Sequence, residues 1–324
     1  MRRLIVLSVL ALGLGACSPA AAPSATPGTS PSPTGAPPSP SAEPSSTPSA
    51  SPSGLANVVF RVAHAGGFIA PSAELATLPD ISIYDDGTVV MPGPARTADP
   101  GPAVPDLQVA RVSAAGLASI MTAAGAAGLT DPAASFDGGP APDAGVTVIT
   151  IDLGGAVRHV RIVSLGDDTR DSGLDPKVVA ARVKLRAFLA GLTDLRKLLG
   201  ADLVAGPAPY VADSLRLIVN PGAPGIGGGN TLAWPLATGL AAFGVEITSA
   251  SGGPIAGTGV GPMAAGLNGG GGAARCGVVK GADLATLAPL LARATTLTTW
   301  TSDGQAWTMV VRPLLPDETG CPGS

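Results

Sequence analysis

Short runs that alternate apolar and polar residues recur between residue 58 and residue 311, a pattern typical of half-buried β-strands. Three pairs of runs are separated by the turn dipeptides Asp86-Gly87, Gly154-Gly155 and Asp303-Gly304. Each dipeptide predicts a β-hairpin with a two-residue turn. Further strands are predicted at residues 58–63, 107–112 and 215–219.

Four segments have apolar residues at helical spacing. Ser113 predicts the N-cap of a helix that extends to residue 125, and Asp175 with Pro176 predicts the start of a second that ends by residue 200. A short helix is predicted over 235–243 before Gly244, and a last one from residue 282. The predicted apolar faces are Leu117, Ile120, Met121 and Ala124; Val179, Val183, Leu185 and Leu189; and Leu284, Leu287, Leu290 and Leu291.

Antiparallel hairpins with helices packed between them predict an α+β fold and not a doubly wound parallel sheet. The segments AAGLASI (114–120) and GADLATL (281–287) are alike, and a hairpin follows each of them. This order of elements suggests two related helix-plus-hairpin modules. We therefore predict a first module over residues 55–200 and a second over 201–324.

The N-terminus begins with Arg2 and Arg3 and continues with an apolar run over residues 4–14, which is too short for a permanent membrane span. This order is typical of a secretory signal peptide over residues 1–16. The segment Leu14-Gly15-Ala16-Cys17 resembles a bacterial lipobox. The resemblance implies cleavage before Cys17 and attachment of a diacylglyceryl group to its sulfur, often with a further acyl chain such as palmitate. The alternative is an ordinary signal peptide that contains a cysteine.

Residues 18–54 consist almost wholly of Pro, Ser, Ala, Thr and Gly, with Glu43 as their single charged residue. Such a composition cannot bury apolar surface, so a disordered tether is predicted. At about 3.1 Å per residue its reach is on the order of 100 Å. Together with a lipidated Cys17, it predicts a domain held outside the cytoplasm, on the outer face of the cytoplasmic membrane or on an outer membrane.

The net charge and the composition of the chain bear on which classes of molecule it can bind. The formal net charge is −4 and only 13% of the residues are charged. Loss of Arg2 and Arg3 with the signal peptide makes the net charge −6. A mildly acidic chain without a cluster of Lys and Arg lacks the electrostatic footprint of nucleic-acid binding, so that class is excluded. The partners predicted are the lipid bilayer and a component of the cell wall or envelope.

Cys276 and Cys321 are the two cysteines outside the signal region. In an exported protein an even number of cysteines predicts a disulfide. A metal site or a catalytic thiol is the rival interpretation, but neither cysteine has a histidine near it in sequence and no CxxC occurs.

Three segments are candidates for ligand or metal binding. The glycine-rich loops at 220–231 and 266–275 lack both the Walker lysine pattern and a complete dinucleotide fingerprint, so surface loops without a cofactor are predicted. In the acidic run 166–175, Asp167, Asp168, Asp171 and Asp175 carry oxygen ligands suited to calcium. Arg170 lies among them, however, and the favoured alternative is a solvated loop in which Asp175 caps a helix.

Nucleophilic catalysis requires a base, and the chain has only two histidines, His64 and His159. No GxSxG, SxxK or HExxH motif occurs. Simple register from the Gly154-Gly155 turn places His159 opposite Thr150, where a structural role is expected. His64 follows the first predicted strand and is expected at an accessible rim. A hydrolase with paired carboxylates stays an alternative hypothesis, because such pairs need no contiguous motif.

The three tryptophans give the sharpest geometric prediction. A two-residue turn at Asp303-Gly304 places Trp300 opposite Trp307 in the hairpin, and Trp234 lies near the first glycine-rich loop. The facing pair has two interpretations: a platform for a ligand such as a sugar ring, or the apolar cover of a core, which is favoured.

The leading hypothesis is a lipid-anchored, extracytoplasmic domain that binds or scaffolds an envelope component without catalysis. The alternative is an envelope hydrolase that acts on glycans through paired carboxylates. Residues 58–163 also resemble domains of bacterial lipoproteins of unknown function, through the ISIYDDGTVV hairpin and the helix and hairpin after it. This resemblance implies a similar type of fold for residues 58–163 and implies nothing about activity.

Overall fold

The computed structural model describes residues 56–66, 74–94, 98–139, 141, 144–222, 229–247 and 273–321. The signal segment, Cys17, the tether and most of the two glycine-rich loops lie outside the described residues. The described residues belong to one compact unit, Ala50–Ser324. This unit has the predicted α+β fold, with two mainly antiparallel sheets and helices packed on them.

Seven strands form the first sheet, in the order β6-β5-β1-β2-β3-β4-β7, and every pairing is antiparallel. Their bounds are β1 Val58–Gly66, β2 Ile81–Tyr84, β3 Thr88–Pro92, β4 Leu107–Val112, β5 Gly145–Asp152, β6 Val157–Val163 and β7 Leu203–Pro209. One face of the sheet packs on α1 (Ala114–Ala126), α2 (Pro176–Leu192) and α3 (Leu195–Leu199). Phe60, Ile83 and Ile151 of this face have no exposed surface, so they form the centre of the first core.

Two of the three predicted hairpin turns have the expected length. Asp152 pairs with Val157 around Gly154-Gly155, and Ser302 pairs with Gln305 around Asp303-Gly304. The prediction at Asp86-Gly87 is wrong by one residue, because the connection between β2 and β3 contains Asp85 as well. Gly87 has φ +81° and its N–H donates to the carbonyl of Tyr84 at 3.0 Å, which gives a three-residue turn that ends in a left-handed glycine.

Helix α1 begins as predicted, because the Ser113 side chain accepts a hydrogen bond from the N–H of Gly116. Asp175 caps α2 in the same way through Lys177, with Pro176 at the first position. The predicted apolar face of α2 is partly wrong. Val183 is 52% exposed, whereas the side chain of Arg182 is fully buried. Helix α2 ends at Leu192, within the predicted limit of residue 200, and α3 begins from a separate cap at Asp194.

Six strands form the second sheet, in the order β10-β11-β8-β13-β12-β9. Their bounds are β8 Ser214–Pro221, β9 Thr231–Ala233, β10 Val245–Glu246, β11 Arg275–Lys280, β12 Thr299–Ser302 and β13 Gln305–Pro313. The pairing of β9 with β12 is parallel and the others are antiparallel. Helix α4 (Gly281–Leu291) covers this sheet through Leu287 and Leu291, so the predicted helix near residue 282 is confirmed.

The predicted helix over residues 235–243 is wrong. The described chain makes only a 3₁₀ turn, Leu240–Ala242, in this segment. Backbone groups of this segment form hydrogen bonds with side chains instead of with helical backbone partners. The N–H of Leu240 donates to Ser302 Oγ, and the carbonyl of Thr238 accepts from Trp234 Nε1. The first contact holds the segment against β12, and in both contacts a side-chain atom takes the place of a helical backbone partner.

The order helix then hairpin occurs in both halves, but the two hairpins join their sheets differently. In the first sheet β5, the strand directly after α1, pairs with β1. In the second sheet β13, the second strand after α4, pairs with β8. Strand β7, which follows residue 200, pairs with β4 and so completes the first sheet. The module boundary at residue 200 and a common origin of the modules stay predictions.

The C-terminal segment, residues 314–321, contacts both sheets. Leu315 packs in a cluster with Tyr84, Val90 and Leu107 of the first sheet. At the other end Cys321 forms a disulfide with Cys276 of β11, with their Cα atoms 6.0 Å apart. The sequence-predicted pairing of these cysteines is therefore the one in the structure, and it fixes the C-terminal segment to the second sheet.

Candidate functional site

A buried polar cluster ties the first sheet to the C-terminal segment. Arg61 Nη2 donates to Asp317 Oδ1 at 2.6 Å, and the Tyr84 hydroxyl donates to the same oxygen at 2.7 Å. Arg61 Nε also donates to Ser82 Oγ at 2.8 Å. Burial alone would raise the pKa of Asp317, but the hydrogen bond and charge of Arg61 outweigh it and lower that pKa below the ordinary value.

A second cluster ties the same segment to the second sheet. Arg312 makes a two-pronged ion pair with Glu318, in which Nη2 lies 2.7 Å from Oε1. Arg216 Nε donates to the carbonyl of Gly320 at 3.0 Å, and its Nη1 donates to the carbonyl of Leu75 at 3.1 Å. Burial, and after it the charge of Arg312, lowers the pKa of Arg216.

Both clusters bind the C-terminal segment to a sheet of the same chain, and their polar atoms are occupied by these contacts, which leaves little room for a substrate. Tyr84 has no exposed surface, and burial followed by the charge of Asp317 raises the pKa of its hydroxyl, which therefore remains a donor. Burial likewise raises the pKa of Tyr210 to about 12, and its hydroxyl donates to the carbonyl of Leu314. We assign both clusters a structural role in docking the C-terminal segment.

The structure divides the acidic run 166–175 among different roles. Asp171 accepts from Arg182 Nε at 2.6 Å and from Arg186, whose hydrogen bond is the largest cause of a lowered pKa for Asp171. Asp167 accepts from the N–H of Thr169, and Asp175 caps α2. Within the described ranges, no group of three or more His, Cys, Asp or Glu side chains converges as metal ligands would.

The two histidines lie where the sequence places them. His159 pairs with Thr150 across β5 and β6, and its Nδ1 is 3.0 Å from Thr150 Oγ1. His64 Nε2 lies 2.7 Å from Asp80 Oδ2, and both of these side chains are about half exposed. A polar contact this open to solvent contributes little to stability.

Trp300 and Trp307 pair across β12 and β13 in the predicted register. They are 1% and 4% exposed and belong to the second core, so neither offers an open ring face to a ligand. Trp234 is half-buried, and its ring meets those of Trp300 and Phe243 edge to face, with centroids 6.0 and 5.6 Å apart. The three tryptophans thus contribute to the packing of the second core.

Two shallow cavities lie at the surface of the described chain, and neither lining includes a tryptophan. The first, about 290 Å³, has an apolar floor of Leu117 and Met121 and an acidic edge of Asp85 and Asp86. Arg111 and Thr88 bind Asp86, so its carboxylate is already engaged. The second, about 360 Å³, is lined mainly by glycine and proline residues. The hydrolase with paired carboxylates therefore stays a prediction from sequence.

The first sheet also presents a surface that the core does not cover. Because side chains alternate along a strand, the face opposite the helices at β6, β5 and β1 carries every second residue. We call this surface the open face; its members are Val157, His159, Arg161, Val163, Val146, Val148, Thr150, Asp152, Arg61, Ala63 and Ala65. The β6 residues Val157, His159 and Arg161 are exposed, and the β5 and β1 members are half-buried.

Beside the sheet edge the open face combines aliphatic side chains with Arg161 and His159, and Asp152 lies opposite Val157 at one end. Arg158, the next arginine on β6, points to the other face, where Nη1 donates to the carbonyls of Leu129 and Asp131. Sequence reasoning identified the β6 strand but not this surface. The signal was present in VRHVRIV, where valine, histidine and arginine alternate with residues that enter the core.

No family model, curated protein or solved structure matches the chain. In the part of the chain that the structure describes, no helix is both long and apolar enough to cross a bilayer.

Proposed function

We propose that this chain is a lipid-anchored, extracytoplasmic domain that binds or scaffolds a component of the cell envelope without catalysing a reaction. The observation that carries the proposal is the disulfide between Cys276 and Cys321, which are 2% and 7% exposed. Disulfides of this kind persist in oxidising compartments and are rare in the cytosol. The lipobox-like segment at residues 14–17 supplies the matching route of export.

Binding fits the described side chains better than catalysis does. Several charged groups that the sequence offered for chemistry already have structural partners, as Asp171 does in Arg182 and Arg186 and Asp175 does in the N–H of Lys177. The open face, in contrast, leaves Arg161 and His159 at the surface among aliphatic residues. A surface of this kind supports recognition of a partner, while the tether of residues 18–54 gives the domain room to reach it.

Counting reactive thiols, together with the mass of the N-terminal peptide to show that Cys17 is retained, tests the anchor and the compartment. The protein is expressed full length in a bacterium, denatured, and treated with a maleimide that adds a fixed mass to each free thiol. A lipidated Cys17 is a thioether and does not react, while Cys276 and Cys321 react only after reduction. We expect no added mass without reductant and two added masses with it. The Cys17→Ser variant, as the matched control, gives the same two additions.

Three additions after reduction would show that Cys17 is unmodified and would overturn the anchor. Additions to Cys276 and Cys321 without reductant would overturn the oxidised state and, with it, the extracytoplasmic location.

A further inference from the structure

Strand β6 forms one edge of the first sheet, and the phase of its hydrogen bonds shows which backbone groups point outward. The N–H of Leu153 donates to the carbonyl of Ala156, and the N–H of Ser164 donates to the carbonyl of Gly145. Bonded pairs alternate along an antiparallel ladder, so residues 156, 158, 160, 162 and 164 bond to β5. The N–H and C=O groups of residues 157, 159 and 161 therefore point away from the sheet, whereas the carbonyl of Val163 already accepts from Arg182 Nη1 at 3.2 Å.

The other described edges are poorer templates for an added strand. Strand β7 contains Pro207 and Pro209, which lack the N–H that pairing needs. Strands β9 and β10 have three and two residues. Strand β6 has seven residues and no proline, so it is the most suitable edge among the described strands.

The charge beside this edge determines which strand it fits. The residues with outward backbone groups are also those whose side chains lie on the open face, His159 and Arg161 among them. A second copy of β6, paired antiparallel about Val160, would place its Arg161 opposite His159 and its His159 opposite Arg161. Basic groups would then meet, whereas carboxylates at those two positions would meet basic side chains.

We propose that β6 binds an extended, acidic segment of a partner protein by strand addition, with alternate carboxylates of that segment beside Arg161 and His159. The residues two positions before and after these carboxylates share their face of the added strand and lie beside Val157 and Val163. This inference rests on the proposed function as a binding domain, whose partner it specifies, and is independent of the lipid anchor.

The test measures binding of a labelled peptide, acetyl-Thr-Val-Glu-Val-Glu-Val-Thr-amide, to the full-length protein in detergent by fluorescence anisotropy. The matched control peptide has Lys in place of both Glu residues. In the proposed pairing the Glu residues direct their own N–H groups toward β6. We therefore expect N-methylation of both Glu residues to weaken binding at least tenfold, and N-methylation of the three Val residues to leave it within twofold.

Two protein variants complete the design. Arg161→Glu should weaken binding of the Glu peptide at least tenfold and bring the Lys peptide to equal or tighter binding. Lys184→Glu, on the exposed side of α2, should change neither. Thermal unfolding of both variants checks that they are folded.

Equal binding of the Glu and Lys peptides, indifference to the position of N-methylation, or self-association through β6 would overturn the inference. Failure of peptide binding while the thiol count supports the anchor would overturn the acidic partner alone. An unmodified Cys17 with intact peptide binding would overturn the anchor alone.

Discussion

Arg61 and Asp317 are 256 positions apart in the sequence, yet Nη2 of the arginine lies 2.6 Å from Oδ1 of the aspartate. The contact joins the β1–β2 ladder to the last described segment of the chain. Within that ladder Arg61 pairs with Ser82 and also binds its side chain. It closes the first sheet against residues 314–321, which the disulfide and Arg216 hold to the second sheet.

Replacing Asp317 should destabilise the whole unit. The Asp317→Ala variant leaves the Arg61 guanidinium and the Tyr84 hydroxyl without their shared acceptor in a site where both are largely buried. We expect a loss of about 3 kcal/mol in the free energy of unfolding, measured by urea denaturation. Asp168→Ala, an exposed carboxylate in the loop before α2, is the control and should change stability by less than about 0.5 kcal/mol. Equal effects of the two variants would contradict the structural role of the cluster.

Stability should fall in acid because the pKa values of Asp317 and Asp171 are lowered in the folded protein. A lowered native pKa contributes stability that is fully present above the unfolded value, about 3.9, and is lost as the pH falls through the native value. We expect the free energy of unfolding to decrease below about pH 4. The decrease should be smaller in Asp317→Ala, and curves of identical slope for the variant and the parent would contradict this assignment.

Arg182 should be essential to the fold although it carries a charge into the core. Its guanidinium donates to the carbonyls of Phe136, Val163 and Ser164 and to the carboxylate of Asp171, and its side chain has no exposed surface. Arg182→Ala leaves these acceptors unpaired, so we expect a loss of about 3–5 kcal/mol by urea denaturation. Lys184→Ala on the exposed side of α2 is the control; a similar cost for both would show that Arg182 is not a buried anchor.

The disulfide should stabilise the unit by about 4 kcal/mol in the chain-entropy model, since it closes a loop with a sequence separation of 45. We expect the Cys276→Ala/Cys321→Ala variant, and the parent in the presence of reductant, to unfold at a lower temperature than the oxidised parent. Reductant should not change the unfolding of the double variant. An unfolding temperature of the parent that reductant leaves unchanged would contradict a structural disulfide.

Local features of the fold were predictable because their causes lie within a few residues. Ser113 and Asp175 cap helices through their own neighbours, and Gly154-Gly155 and Asp303-Gly304 turn hairpins with positive φ values. The failures have non-local causes. Arg182 enters the core in place of Val183 because carbonyls from distant segments surround it.

The candidate surface was less accessible to sequence reasoning than the fold. The alternation in β6 shows that His159 and Arg161 share a face, but which face the helices cover depends on strand order. Strand order also makes β6 an edge, and no periodicity in the sequence encodes that position. The Arg61–Asp317 contact has no local signal either, since a single arginine in a strand is usually solvated.

Partitioning of the full-length protein between aqueous and detergent phases tests the central claim most directly. The account predicts that the parent enters the detergent phase and that Cys17→Ser, if exported and folded, moves to the aqueous phase, because two or three acyl chains anchor a protein stably. The Cys276→Ala/Cys321→Ala variant should stay in the detergent phase. Equal partitioning of the parent and Cys17→Ser would contradict the lipid anchor on which the proposed function depends.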